Sequence, residues 1–408
     1  MSKISQKIFK GDKVTWIIFA VLCALSLVEV FSAASRLTFR NPNILSIIMQ
    51  HAKFISIGIA VAWVVHNMPM RWFRMLAPYA YAGCFMLLIY GAFCGEEKNN
   101  AVRWVNILGF SVQPSEFARI GLLMMVSRFL ADWQNNNENA IKTLGYVVAA
   151  TLGVVGFTIT NNLSTTLIIL FSVYLMLLLA KLPRKLMIKF TLGCMILGLL
   201  GATTIMLIPV EKVRNTPLAR VETWQNRIKD FFSFIKDKDA EKEKEKEKND
   251  DGKDDQRNYA NIAIASSGII FGKGPGNSEQ RDYLPEAYSD LIFAIIIEEW
   301  GLIIGCIGVI MLYLTLLFHT GQIAKNCDDP FAAYLIMGAA LLIGIQAMIH
   351  MSISTGFFPI SGQPLPLVSR GGSSMLANGI YIGMILSVSR YAGKLKAEKE
   401  RGYTPPAE

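Results

Sequence analysis

Residues 274–301 read GPGNSEQRDYLPEAYSDLIFAIIIEEWG, and their reading decides the fold. A polar, glycine-rich stretch passes directly into a strongly apolar one, and Asp290 stands where the two meet. From Leu291 to about Phe318 the chain is long and apolar enough to cross a bilayer, which takes about 20 helical residues at about 1.5 Å each. Asp290 is thereby a carboxylate at a membrane–water boundary, with Glu298 and Glu299 about 12 Å further along the helix. An acidic residue inside a span costs about 2.5–3.5 kcal/mol on insertion scales, so this grouping of three needs a physical reason. For Glu298 and Glu299 two reasons stand open, pairing inside a helix bundle or a part in a site. For Asp290, at the boundary, the functional reading leads.

Composition extends this reading to the whole chain. Of 408 residues, 52% are hydrophobic and 17% charged, and mean hydropathy is +0.38. Soluble proteins carry about 25% charge, so a polytopic membrane protein is expected. The net charge of +9 lies in short Lys/Arg clusters at span ends, which orient a membrane protein. No nucleic-acid partner is expected from it. Cys23, Cys84, Cys94, Cys194, Cys306 and Cys327 form no CxxC pair, and His51, His66, His319 and His350 are scattered. Neither a disulfide framework nor a metal site is indicated. The opening KISQKIFKGDK precedes an apolar run in the manner of a signal peptide. That run is long, holds Glu29 and is followed by further spans, so it reads as an uncleaved first span.

The expected fold is all-α, a single transmembrane domain over residues 1–408 with about ten spans. They lie at roughly 14–35, 44–66, 74–94, 114–133, 143–160, 163–180, 186–208, 291–318, 331–354 and 372–393. Placing Lys3, Lys7, Lys10 and Lys13 inside also puts Arg71, Arg74, Lys181, Arg184, Lys185, Arg390, Lys394 and Lys396 inside. Both termini are then cytoplasmic, and segments 95–113, 209–290 and 355–371 lie outside. The large outer loop, 209–290, separates the seventh and eighth spans. Its first part, 209–235, carries Arg214, Arg220, Trp224 and Arg227 among apolar residues, the pattern of an amphipathic helix lying on the membrane. A charged low-complexity insert follows at about 236–257, either solvated or a helix laced by i,i+4 pairs. No repeat of 20–50 residues is evident.

Three further stretches carry chemistry. Residues 268–273, GIIFGK, fall short of a nucleotide-binding P-loop, with no Ser or Thr after the lysine. A glycine loop there either presents backbone amides to a phosphate or simply turns the chain into the next span. In AVRWVNILGFSVQPSEFAR, 101–119, Arg103 and Trp104 suit the interface and Pro114 suits a first helical turn. Glu116 and Arg119 follow on one face, as a structural ion pair or as substrate ligands. In HMSISTGFFPISGQPLPLVSRGGSS, 350–374, prolines and glycines break the helix around Arg370. Irregular backbone at membrane depth needs protein or a wet cavity around it, so this loop is expected to dip back and line a site. Residues 160–166, TNNLSTT, read as a plain hairpin turn.

Taken together, QPSEFAR, GPGNSEQRDYLPEAYSDLIFAIIIEEWG and GFFPISGQPLPLVSRGGSS resemble the SEDS family (shape, elongation, division and sporulation) of membrane glycosyltransferases. The likeness covers essentially all ten spans, and GNS…LPEAYSDLIFA looks more like the division branch (FtsW-like) than the elongation branch (RodA-like). Asn161-Asn162 departs from the family's usual Pro-Asp, as do His350 for asparagine, Arg370 for tyrosine, Arg119 for lysine, and the Lys/Glu insert. The resemblance implies a peptidoglycan glycosyltransferase that polymerises lipid II at the outer face of the bacterial cytoplasmic membrane, enriched at the division septum. It implies Asp290 as the catalytic base and Arg103, Gln113, Glu116, Arg119, Ser369 and Arg370 as substrate-binding residues. Among partners it implies a class B penicillin-binding transpeptidase and other division proteins. No cofactor is required by it, and a divalent cation, Mg or Mn, stays open. A lipid II flippase and a non-catalytic division scaffold are the alternatives.

Overall fold

The computed structural model describes residues 11–33, 44–98, 101–107, 110–136, 139–159, 162–208, 225, 252–284, 289–358 and 362–400. The expected amphipathic helix at 209–235 lies, apart from Gln225, outside the described residues, as does the charged insert up to residue 251. Helices come in the order α1 (Lys13–Ala33), α2 (Ile44–Asn67), α3 (Met70–Cys94), α4 (Pro114–Asn136), α5 (Ala140–Thr158), α6 (Leu163–Leu179) and α7 (Arg184–Leu207). Then follow α8 (Gly252–Ala265), α9 (Ile292–Gly301), a π-helical turn over Leu302–Ile307, α10 (Gly308–Lys325), α11 (Pro330–Ser354) and α12 (Gly372–Glu400).

Every expected span coincides with a helix. Among the described residues, 8 spans are long and apolar enough to cross a membrane, with α9 and α10 counted as one. The two others differ for physical reasons. α4 carries Glu116, Arg119, Arg128 and Asp132 along its length, and α6 has only 17 residues. Both are nevertheless packed into the bundle, α4 against α3 and α11, α6 against α11. α2 and α12 approach closely because Gly379 lies against the Gly58 backbone and Gly383 against Ala62, where a Cβ would collide with a carbonyl. Small residues that let backbones touch are the usual device of membrane helix pairs. α7 is the outlier: within it only Met187 is buried.

Between α3 and α4 the structure adds what the hydropathy reading lacks, a small antiparallel sheet. Strands β1 (Glu96–Lys98), β2 (Ala101–Ile107) and β3 (Phe110–Val112) run in the order β1-β2-β3, with Val105 opposite Val112. The alternating β-branched residues of AVRWVNI favour such a pleated ribbon.

The eighth span is the main correction. Residues 292–325 would make a rod of roughly 50 Å, far more than the hydrocarbon thickness of about 30 Å. The chain breaks instead at Gly301, with φ 87° and ψ 173°, a conformation open essentially to glycine alone. Segment 268–274 docks into the break. Leu302 N donates to Gly268 O and Ile303 N to Ile269 O, each at 3.0 Å, while Lys273 N and Gly274 N donate to Glu298 O (3.0 Å) and Glu299 O (2.9 Å). The groups freed by the break are thus satisfied by the neighbouring loop. Leu302–Lys325 alone suffices to cross, so α9 with Glu298 and Glu299 belongs to the mouth of the bundle and not to its depth.

One end of the bundle is tied by Asp12 N to Ser389 Oγ at 2.9 Å, Arg390 Nη2 to Asn67 O at 3.2 Å and Tyr334 Oη to Gln134 Oε1 at 2.6 Å. The clustered basic residues assign this end to the cytoplasm. Asp290 lies at the other end, before α9.

Candidate active site

Asp290 immediately precedes the N-cap of α9, Leu291, where a negative charge favours the helix dipole. It is half-buried, and Ser289 Oγ donates to its Oδ1 at 3.0 Å. The next contact reaches across the fold. Ser369 Oγ donates to Ser289 O at 2.7 Å, fastening the Asp290 turn to the irregular loop at 362–371. The same hydroxyl accepts from Leu365 N at 2.7 Å. Ser369 therefore fixes two backbone segments at once.

That loop is largely buried, as expected, and four of its carbonyls accept from side chains of the surrounding helices. His350 Nδ1 donates to Gln363 O at 2.7 Å and Gln346 Nε2 to Pro364 O at 2.9 Å, both from α11. Tyr313 of α10 donates to Pro366 O, and Ser26 Oγ of α1 to Val368 O at 2.7 Å. Leu367 takes a positive φ of 65°, a strained conformation that persists where the surroundings over-determine it. Such a loop presents Ser369 and Arg370 on a rigid support.

Behind it sits the charged pair. Glu116 and Arg119 are 2% and 5% exposed, so neither is a surface charge. Arg119 Nη1 donates to Gln346 Oε1 at 2.7 Å, and its Nη2 lies 3.8 Å from Glu116 Oε1. Gln346 in turn holds Pro364 O, which couples the pair to the loop. Ser373, Ser374 and Tyr381 of α12 lie close to this pair. The pair thus belongs to a network that supports the site loop.

The remaining candidates fall around this core. Arg370 is half-exposed and donates to Gln50 Oε1 of α2 at 3.0 Å. Gln113, at the start of α4, donates to Ser115 Oγ at 3.1 Å. Arg103 lies on β2, with its side chain outside the described residues. Ser369 is bonded to the residue before Asp290, Arg370 follows Ser369 in the chain, and Glu116 and Arg119 stand behind the loop that carries both.

Glu298 and Glu299 resolve to the paired reading. Glu298, fully buried, accepts from Lys273 Nζ at 2.9 Å, Ser278 Oγ at 2.5 Å and Glu279 N at 3.1 Å. Glu299 bonds Ser32 of α1, while Arg281 reaches the Ser32 hydroxyl at 3.4 Å. The amides of Gly276 and Ser278 also serve Glu299. The glycine loop does bind anions, but the anions are the chain's own carboxylates, so its amides are not offered to a phosphate.

Two amides were missed in the sequence. Asn162 caps α6 through Thr165 N at 3.2 Å, and Gln363 Nε2 approaches Asn162 Oδ1 at 3.4 Å and Thr165 Oγ1 at 3.1 Å. The TNNLSTT turn is therefore one wall of the site loop and more than a hairpin; Asn161 lies outside the described residues. Gln346, a lone amide in an apolar 25-residue helix, was the available signal. The end of the charged insert also differs from expectation. Residues 252–257 begin α8, because Ala260 and Ala263 pack with Leu284, Leu291, Ala294, Ile295 and Ile353 and carry the polar turn along. Arg257 of α8 donates to Gly356 O, closing the helix over the start of the site loop.

Among the described residues no three His, Cys, Asp or Glu side chains gather to hold an ion. Asp290 alone offers one carboxylate, which suits a cation held chiefly by substrate phosphates.

A family model described as cell cycle protein, grouping FtsW, RodA and SpoVE, matches residues 12–394. A probable peptidoglycan glycosyltransferase FtsW of Halomonas elongata is 30% identical over 388 residues, 91% of this chain and 89% of its own length. The FtsW so named in Coxiella burnetii is 28% identical over 92% and 95%. Stage V sporulation protein E of Bacillus subtilis is 26% identical over 93% and 97%. In fold, the chain resembles one from a peptidoglycan synthase complex, with TM-score 0.71 at 23% identity over 94% and 98%. Thermus thermophilus RodA matches with TM-score 0.64 at 22% identity over 93% and 97%. The chain therefore belongs to the family of FtsW, RodA and SpoVE, a multi-pass membrane protein on its FtsW-like division branch.

Proposed function

We propose that this protein is a peptidoglycan glycosyltransferase that polymerises lipid II at the outer membrane face during division, with Asp290 as its base. The relatives named as probable peptidoglycan glycosyltransferases support the activity. One observation carries the site: the Ser369–Ser289 bond clamps the Asp290 turn against a buried loop, held by side chains of three helices, that also carries Arg370. A polyprenyl tail needs the bilayer, and the sugar and pyrophosphate need its interface, where Asp290 stands.

In the reaction, the 4-hydroxyl of the acceptor sugar attacks the anomeric carbon of the donor strand. The bond from that carbon to the pyrophosphate oxygen breaks, and polyprenyl pyrophosphate departs as an anion. Asp290 takes the hydroxyl proton, a contribution of about 10²–10⁴-fold. Arg370 and Arg103 are the residues we assign to offset charge on the leaving group. Arg119 acts through Gln346 on the loop. Displacement in one step inverts the anomeric centre, and no acid is needed for an anionic leaving group. A class B penicillin-binding transpeptidase is the expected partner, and the septum the expected location.

A flippase would need a polar path to the inner face. The inner half of α4 and α11 buries Val126, Leu130, Ile336, Ala339 and Ala340, with Ser127 bonded back to its own helix, which favours the enzyme. The test is polymerisation of lipid II by the purified protein with its partner, wild type beside Asp290→Asn. The amide is nearly isosteric, so insertion and partner co-purification survive while strand synthesis falls by at least about 10²-fold. Long strands from the mutant at wild-type rate would remove Asp290 from its role.

A further inference from the structure

At the cytoplasmic end, far from Asp290, a cavity of about 520 Å³ opens beside α3 and α4, lined by Arg71, Arg74, Met75, Pro78, Tyr79 and Arg128. The sequence builds it in steps. Arg71 and Arg74 stand one turn apart on one face at the start of α3. Pro78, four residues after Arg74, has no N–H, so the Arg74 carbonyl lacks its helical donor. Arg128 of α4 donates to that carbonyl at 3.5 Å, which brings a guanidinium from a second helix to the cavity wall. Asp132 then accepts from Arg74 at 2.6 Å and faces Arg128 at 3.8 Å, fixing both.

Three guanidinium groups against the one Asp132 carboxylate leave two positive charges unbalanced. Arg71 is exposed and has no partner among the described residues. The walls are graded. Arg71 and Arg74 lie at the start of α3, while Met75 (54% exposed) and Tyr79 (72% exposed) face outward one and two turns beyond Arg71. Cationic ends below aromatic and thioether side chains match a headgroup above its acyl chains. Arginine forks suit phosphate oxygens in a way a point charge does not.

We infer that this cavity holds the phosphate of an anionic phospholipid of the inner leaflet, gripped by Arg71, Arg74 and Arg128. Its acyl chains run along Met75 and Tyr79. A soluble phosphate shares the anion chemistry but leaves that apolar face unused.

Native mass spectrometry of the full-length protein in detergent, titrated with phosphatidylglycerol, phosphatidylcholine or glycerol 3-phosphate, tests it. Wild type should retain phosphatidylglycerol over phosphatidylcholine, and millimolar glycerol 3-phosphate should not displace it. Each basic residue at an anionic membrane surface is worth about five-fold in affinity. R71Q should therefore weaken retention about five-fold and R71Q/R128Q about twenty-five-fold. R390Q, at the same end but bonded to Asn67 O, should change nothing. Arg71 is exposed, so R71Q folds and decides the matter even where the double variant does not. Undiminished phosphatidylglycerol retention in R71Q, equal retention of phosphatidylcholine, or displacement by glycerol 3-phosphate would each overturn the inference.

Discussion

Arg119 donates to Gln346 and stands in an ion pair with Glu116 at 3.8 Å, and both partners are buried. At the scale of single residues this decides what a mutation does. Removing one charge leaves the other uncompensated in a low-dielectric interior, at about 3–5 kcal/mol, whereas removing both avoids that penalty. Glu116→Leu or Arg119→Leu alone should lower the melting temperature in detergent more than the double variant. The double variant still loses the Gln346 tether of Pro364, so its folded fraction should polymerise poorly. Full activity in it would mean that the site loop needs no such tether. The charged residues of this network are visible in the sequence because carboxylates and arginines in spans stand out. Gln346, Gln363 and Asn162 are less visible: an amide gains its meaning from the partner it faces, and partners in this network lie 18 to 227 positions away.

Segment 268–274 and the α9–α10 break form one element, each completing the other's hydrogen bonds. The sequence shows an apolar run through Gly301, interrupted only by Glu298 and Glu299, and its length reads as one helix throughout. The break depends on a docked loop that local pattern cannot reveal. Gly301→Ala should be costly on two grounds. Its backbone conformation strains any other residue by about 1–3 kcal/mol. Its Cβ would also meet Gly268 O, Ile270 O and the Phe271 carbonyl carbon at 2.9 Å, all backbone. The expected result is a destabilisation of at least about 2 kcal/mol and faster proteolysis within 266–281. A wild-type melting curve would mean that the break relaxes into helix.

Lys273 adds a pH dependence to the same element. Its hydrogen bond to Glu298, partly offset by burial, pushes the amine above the usual 10.5. A raised folded value means that the contact contributes fully below about 10.5 and fades as pH rises through the folded value. Lys273→Met should cost on the order of 2 kcal/mol at neutral pH, less than a fully enclosed pair because Lys273 is 23% exposed. The stability gap between wild type and variant should hold steady from about pH 6 to 9 and narrow only above that. A gap that narrows toward acid pH would assign the effect to a different group.

The molecule as a whole is a bundle whose two ends do different work, and its helices were the most legible part. Each span expected from hydropathy coincides with a helix, since burying an apolar run in lipid needs no long-range information. The sheet was not legible, because seven residues of alternating pattern are a weak signal beside spans of twenty or more. The assignment of ends is testable with native and introduced thiols. Asn277 is exposed in the glycine loop beside Glu298, and Asn326 is exposed between α10 and α11 at the opposite end. Native Cys94, exposed at the end of α3 on the Asp290 side, would report with Asn277 and is first changed to Ser. In intact spheroplasts a membrane-impermeant maleimide should label Asn277→Cys readily and Asn326→Cys only after permeabilisation. Neither position touches the Ser289–Ser369 contact beside Asp290, so polymerisation should survive both changes and confirm that the labelled protein is folded. Labelling of Asn326→Cys in intact spheroplasts, with Asn277→Cys protected, would invert the bundle. Asp290 would then face the cytoplasm, where a finished glycan strand could not join the wall, and the polymerase reading would fall with the topology.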